Sequence, residues 1–245
     1  MQTIPKFHIS SFSSALLAGL SLAMAPPPAS AQMRAPDPAL AAAQRDFARF
    51  VAHQLQRKEQ APAQFPLDIR NAGELKEARI DYGFPVNTID PQKLLAGRET
   101  MRAMAKPVNQ WRFVITRKQQ AIGLATVEKI NGSYQTVAYG AAVLAKDLDA
   151  AANNYGNVDK SNLRLVRIYQ ARSDFLEVAS QDGRGRFLPL HSARQSLDMP
   201  QGTRKEGAQG PGLLDETDIT EPLRSAVKQN LGALRAVRAA NKETR

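Results

Sequence analysis

Hydrophobic and polar positions alternate most regularly over residues 111–140. Trp111, Phe113 and Ile115 interleave with Arg112, Val114 and Thr116, the period of two expected of a strand with two different faces. A second run, residues 121–130, leads through Asn131-Gly132 into residues 134–139, and Asn-Gly suits a two-residue hairpin because both positions take positive φ. Three antiparallel strands are predicted here. A second β unit is predicted over residues 163–169, 175–180 and 186–190, the last two joined through Asp182-Gly183. Residues 74–89 read as two short strands, or one broken at Gly83-Phe84-Pro85.

Three- and four-residue spacing takes over elsewhere. Asp37-Pro38 opens a helix, Asp as N-cap and Pro in the first turn. Leu40, Ala43, Phe47, Phe50, Val51 and Leu55 line one face of it as far as a boundary at Pro62. That stripe is expected to pack on the sheet. Asp90-Pro91 starts a short helix carrying Leu94 and Leu95, and Gly97 ends it. Residues 98–110 read as a loop or irregular helix whose Met101 and Met104 fill the core. Residues 142–155 form a helix with Leu144, Leu148, Ala151 and Tyr155 on one face. Residues 200–212 are rich in Gly and Pro, so residues 198–219 are read as a flexible linker. A terminal helix is predicted over residues 220–245, capped by Thr220 with Pro222 in its first turn. Leu223, Val227, Leu231, Leu234 and Val237 form its apolar stripe. The predicted fold is α+β: an antiparallel sheet of about five to seven strands with packed helices in a core over residues 73–197, preceded by a helical segment over 32–62.

Composition adds limits. A chain of 245 residues with 43% hydrophobic content can bury a substantial core. The absence of cysteine excludes disulfides, thiolate metal sites, haem thioether attachment and cysteine nucleophiles. Residues 1–31 read as a signal peptide: Lys6 is the positive region, residues 14–25 are the short apolar run, and Ala29-Ser30-Ala31 fits a small-residue cleavage site. Cleavage before Gln32 would remove only Lys6 among the charges, lowering the formal net charge of +10 by one and leaving no transmembrane helix in the mature chain. The expected location is periplasmic or secreted. A basic protein there is kept from chromosomal DNA, so the partners expected are an envelope protein or an anionic surface rather than nucleic acid.

Candidate chemistry is sparse. There is no HExxH, Walker A, dinucleotide fingerprint or GxSxG elbow, and no cofactor or metal is predicted. His191, Ser192 and Asp174 make a triad on paper only, because sequence neighbours in a strand point to opposite faces. Asp81 with Asp90, or Glu74 with Glu77, offer carboxylate pairs for a hydrolase acting on envelope polymers. Arg167 shares parity with Leu163, Leu165 and Tyr169 on an apolar face, where a guanidinium must be paired, reach water or meet an anion. With Arg164 and Arg172 it makes a candidate anion-binding patch; the plainer alternative is an ion pair with Asp174 or Glu177. Arg224, Lys228, Arg235 and Arg238 make the terminal helix basic as well as amphipathic, a form that lies on an anionic membrane surface or docks to a partner.

Residues 83–91 (GFPVNTIDP), 111–114 (WRFV) and 173–178 (SDFLEV) resemble uncharacterised exported bacterial proteins of unknown function. The resemblance implies a compact α+β module of the cell envelope, with no activity or site attached. Together with the missing catalytic motifs, it favours a non-catalytic binding or interaction module.

Overall fold

The computed structural model describes residues 37–56, 65–180, 184–199 and 212–243, with the backbone alone for Asp37 and residues 238–243. The predicted signal peptide, the predicted boundary at Pro62, the predicted Asp182-Gly183 turn and most of the Gly/Pro-rich stretch lie outside the described residues.

Seven strands form one sheet: β1 (Ala78–Thr88), β2 (Lys106–Arg117), β3 (Gln120–Ile130), β4 (Ser133–Gly140), β5 (Leu163–Ile168), β6 (Ser173–Ala179) and β7 (Gly185–Pro189). Their spatial order is β4-β3-β2-β1-β5-β6-β7. Only β1 and β5 run parallel; all other neighbours are antiparallel. The fold is thus α+β on a mostly antiparallel sheet. The helix α4 (Ala142–Tyr155) carries the chain from the β4 edge back to the free side of β1. A parallel pairing needs such a crossover.

Two hairpins build the first half. Asn131 and Gly132 have φ of 49° and 84°, as their sequence predicts. Lys118 and Gln119 take the same region, at 49° and 65°, without any turn signature. There the pairing of β2 with β3 imposes a backbone that an L-residue adopts at a cost of roughly 1–2 kcal/mol each.

β1 runs unbroken through Gly83-Phe84-Pro85, so the predicted break is not there. Gly83 pairs with Phe113, and a Cβ on it would come within 2.4 Å of that ring. The glycine makes room for an aromatic side chain on the next strand. β2 in turn begins at Lys106, well before Trp111. Pro85 pairs with Trp111 and Asn87 with Pro107, so three β2 residues, 108–110, face the single residue Val86. A bulge of that size upsets simple alternation, which is why the pattern shows only the strand's second half.

Parity assigns the two faces. One carries Phe84, Val86, Val114, Leu124, Leu163, Leu165, Leu176 and Val178, covered by Ala145, Leu148, Ala151 and Ala152 of α4. The other is covered in two parts. Over β1–β4, Phe113, Ile115 and Val127 meet Ala39, Ala43 and Phe47 of α1 (Asp37–Gln56), as the amphipathic pattern predicts. Over β5–β7, Val166, Ile168, Phe175 and Phe187 meet Ile219, Leu223 and Val227 of the last helix. Two short helices between β1 and β2, α2 (Pro91–Ala96) and α3 (Met101–Met104), complete this second cluster with buried Leu94, Met101 and Met104. A further short helix, α5 (His191–Ser196), follows β7.

The last helix, α6 (Glu216–Glu243), begins four residues before Thr220. Asp215 and Asp218 form a reciprocal cap: the Asp218 amide donates to the Asp215 carbonyl, and the Asp215 amide donates to the Asp218 carboxylate at 3.1 Å. Thr220 spends its hydroxyl on the Glu216 carbonyl at 2.7 Å instead of capping. The end of the stretch read as linker is also fixed, since Leu214 and Phe187 exchange two backbone hydrogen bonds of 2.9 Å along the β7 edge.

Candidate functional site

The three arginines of the candidate anion patch do not converge. On β5, parity sends Arg164 to one side of the sheet and Arg167 to the other. Arg164 binds Glu177 with its Nε at 2.6 Å and with Nη2, and Arg102 approaches the same carboxylate at 3.6 Å. Glu177 is 2% exposed, so this is a nearly dry ionic cluster. Arg167 lies 3.4 Å from Asp174 and over the Tyr169 ring at 5.4 Å, with 31% of its side chain exposed. Arg172 stands exposed in a left-handed turn after β5.

The residue that feels the charge of Arg167 is Arg112, two strands away on the same face, which the sequence reading passed over. Arg112 pairs with Phe84 across β1 and β2, so it lies on the same face as Arg167. It is half-buried, and no described residue gives it a hydrogen bond or ion pair. Burial first, and then the like charge of Arg167, pull its pKa below the ordinary guanidinium value, while Asp174, Tyr169 and Glu128 act the other way. Gln110, two residues earlier on the same face, donates its Nε2 to Glu128 at 2.7 Å. Its buried Oε1 has no hydrogen-bond partner among the described residues. Both residues border the β2 bulge. The signal in the sequence was a period-two strand carrying Gln110 and Arg112 in phase with Val114, a core position.

The paper triad does not assemble. Ser192 Oγ donates to Asp174 at 2.8 Å and accepts from the Asp174 amide at 2.9 Å, leaving no role for His191, which is exposed. The Asp81–Asp90 carboxylate pair is likewise separated. Asp81 pairs with Arg79 at 4.0 Å, whereas Asp90 caps α2 through the amides of Gln92 and Lys93. The two lie nine residues apart along extended chain, roughly 30 Å by strand rise, well past the spacing of roughly 5–10 Å that paired-carboxylate hydrolysis uses. Glu74 pairs with Arg117, and Glu77 with Lys118 at 3.2 Å.

The second candidate surface is α6. Its first half is fastened at both ends of the small helices beside it. Glu216 accepts from the Met101 amide at 2.6 Å at the start of α3, and Arg224 Nε donates to the Leu94 carbonyl at 2.9 Å near the end of α2. Asn230 Nδ2 donates to the Gln170 carbonyl at 2.7 Å. Arg224 is therefore a docking residue, held also by Glu221 at 2.5 Å. Beyond Asn230 the helix runs on for 13 residues to Glu243, roughly 20 Å at helical rise. Leu234 and Val237 there are 54% and 58% exposed, and Lys228 and Arg235 are exposed beside them. The side chain of Arg238 lies outside the described residues. Ile219, Leu223, Val227, Leu231, Leu234 and Val237 span an arc of about 120° at 100° per residue, so one stripe is buried in its first half and bare in its second.

Among the described residues no helix is long and apolar enough to cross a membrane. No family model, curated protein or solved structure matches the chain.

Proposed function

We propose that the protein is a non-catalytic, exported binding or interaction module of the cell envelope, and that the distal half of α6 is its contact surface. The observation that carries this reading is the change along one helix stripe. Ile219, Leu223 and Val227 are 0% exposed, while Leu234 and Val237, in line with them, are more than half exposed. A stripe that continues past its own core is a face made for another one.

Charge specifies the partner. From Pro222 to the last residue the sequence holds six Lys or Arg and one acidic residue, Glu243. A second copy of the same helix would bring like charges together, so the partner is an amphipathic segment with acidic flanks. A flat bilayer suits the stripe less well, because the stripe points to the side on which the globular body is docked.

The test is capture from an envelope extract with the wild-type chain as bait against L234S/V237S, at low and moderate salt. A partner held by the wild type, lost with the double variant and weakened by salt supports the reading. Equal capture by both baits, or binding to anionic vesicles with no protein partner, overturns it.

A further inference from the structure

We propose that Arg112, Gln110 and Glu128, with Arg167 beside them, form a binding site for a small amino acid in its zwitterionic form. The site is independent of α6, on the opposite face of the sheet, and it does not rest on the reading given above.

Three observations meet at one place. The first is a half-buried guanidinium that no described residue pairs, though four charged or polar groups lie within its electrostatic reach. Five N–H donors in a planar fork suit a carboxylate bidentately, and Arg112 has all of them to offer. The second is the orphan acceptor, Gln110 Oε1. Its amide orientation is fixed by the bond from Nε2 to Glu128, so the oxygen faces a position that only a donor can satisfy. The third is topology. From β1 the chain adds β2, β3 and β4 on one side, and from β5 it adds β6 and β7 on the other, so the strand order reverses between β1 and β5. Arg167 pairs with Thr88 at the carboxyl ends of both parallel strands. A reversal of this kind opens a crevice at the carboxyl ends in open parallel sheets. The 108–110 bulge lies at that same end of β1.

Local charge selects the ligand class. Arg167 is committed to Asp174, and Glu128 accepts from Gln110, so the cluster holds two cations and two carboxylates. A simple anion would satisfy Arg112 and leave Gln110 Oε1 bare against the negative charge of Glu128. A zwitterion places its carboxylate on Arg112 and its ammonium between Gln110 Oε1 and Glu128, and adds no net charge. An inorganic phosphate lacks the second pole.

The experiment titrates the protein, expressed from its full coding sequence and purified as the cell delivers it, with glycine, glycolate, acetate and inorganic phosphate, each to about 10 mM, a concentration that detects millimolar affinity. Arginine Nε–H and glutamine side-chain resonances are followed by NMR. The expected order is glycine, then glycolate, then acetate, with the Arg112 and Gln110 signals moving together. R112Q lowers glycine affinity about tenfold or more, the loss of one bidentate ionic contact at roughly 1.4 kcal/mol per tenfold. Q110M, which spares Arg112, removes the preference for glycine over acetate and leaves acetate unchanged. Because Arg112 holds no structural partner, R112Q melts no lower than the wild type; unfolding of R112Q would show that the arginine is structural and overturn the proposal. So would an unchanged Arg112 resonance with every probe, glycine binding that survives R112Q, or a preference for phosphate.

Discussion

The ionic cluster around Glu177 gives the sharpest test of how this sheet is held together. Glu177 is 2% exposed and faces Arg164 at 2.6 Å and Arg102 at 3.6 Å, whose side chains are 20% and 43% exposed. Replacing Arg164 with Leu removes two of the three contacts and leaves a nearly dry carboxylate with a distant, largely solvated partner. Breaking one side of a buried pair costs about 3–5 kcal/mol; the surviving Arg102 lowers this to about 2–3 kcal/mol. For a domain of this size that is a fall of roughly 5–10 °C in melting temperature. The double variant R164L/E177L leaves no buried charge, since Arg102 is 43% exposed, and places Leu beside Val166, Phe175 and Phe187, so it should lie within about 1 kcal/mol of wild type. Gly185 belongs to the same unit, since a Cβ there would come within 2.5 Å of Glu177 Oε1. G185A should cost about 1–3 kcal/mol in the wild type and almost nothing beside E177A. Urea denaturation of the singles and doubles reads these couplings directly. If R164L costs under about 1 kcal/mol, or R164L/E177L is no more stable than R164L alone, the cluster is not a dry unit and the reasoning fails.

Three further predictions follow from the first half of the sheet. G83A must displace the Phe113 ring, which is 0% exposed, and should cost about 1–3 kcal/mol by urea denaturation, whereas the same change at Gly132, with open space around it, costs only its backbone strain of about 1 kcal/mol. Asp46 is pulled below the ordinary carboxylate value: burial opposes this, but the Thr136 amide at 2.9 Å and Arg45 outweigh it. Its charge stabilises the fold above the unfolded carboxylate pKa of about 3.9, and the contribution is lost as pH falls through the lower folded value. D46N should therefore cost about 1 kcal/mol at neutral pH, and stability curves of wild type and variant should converge in acid. Tyr139 is pushed up to about 12, by burial first and then by the charge of Asp46, with Thr136 opposing. Its neutral form stabilises the fold below the unfolded value of about 10, and stability falls as pH rises from there toward 12. Y139F should lose that alkaline sensitivity while keeping the ring's contact with Phe50 at 4.4 Å.

Regular patterns made the regular parts legible. The Asn131-Gly132 hairpin, the α1 stripe and the bounds of α4 follow from local propensity and period alone. The features that were not legible depend on a neighbouring strand. Gly83 looks like a breaker because a sequence does not show that Phe113 will lie across it. Lys118 and Gln119 lie between the first two predicted strands, but neither residue type marks a turn of positive φ. The start of β2 is hidden by three residues that face only one. The β5 arginines were read as a cluster by proximity in sequence, but a spacing of three along a strand sends them to opposite faces, each to the carboxylate that its own face provides.

Arg112 is the instructive case. In the sequence it is the polar half of an alternating strand, where an exposed arginine needs no explanation. Sheet order changes its meaning. β2 is an interior strand, with β3 on one side and β1 on the other, and both of its faces are covered over most of their length. On such a strand a polar residue in phase with Val114 lies on a buried face unless the cover stops short of it. Here the cover stops just there: Val114 and Leu124 are fully buried on the α4 side, whereas Arg112 and Glu128, further along the same two strands, are only half-buried. The neighbouring cation is already held by Asp174, and the neighbouring carboxylate Glu128 by Gln110, so the chain supplies no partner for Arg112 from within. A guanidinium left in that position costs desolvation free energy that a purely structural residue would not incur. That cost is what the proposed carboxylate ligand would offset.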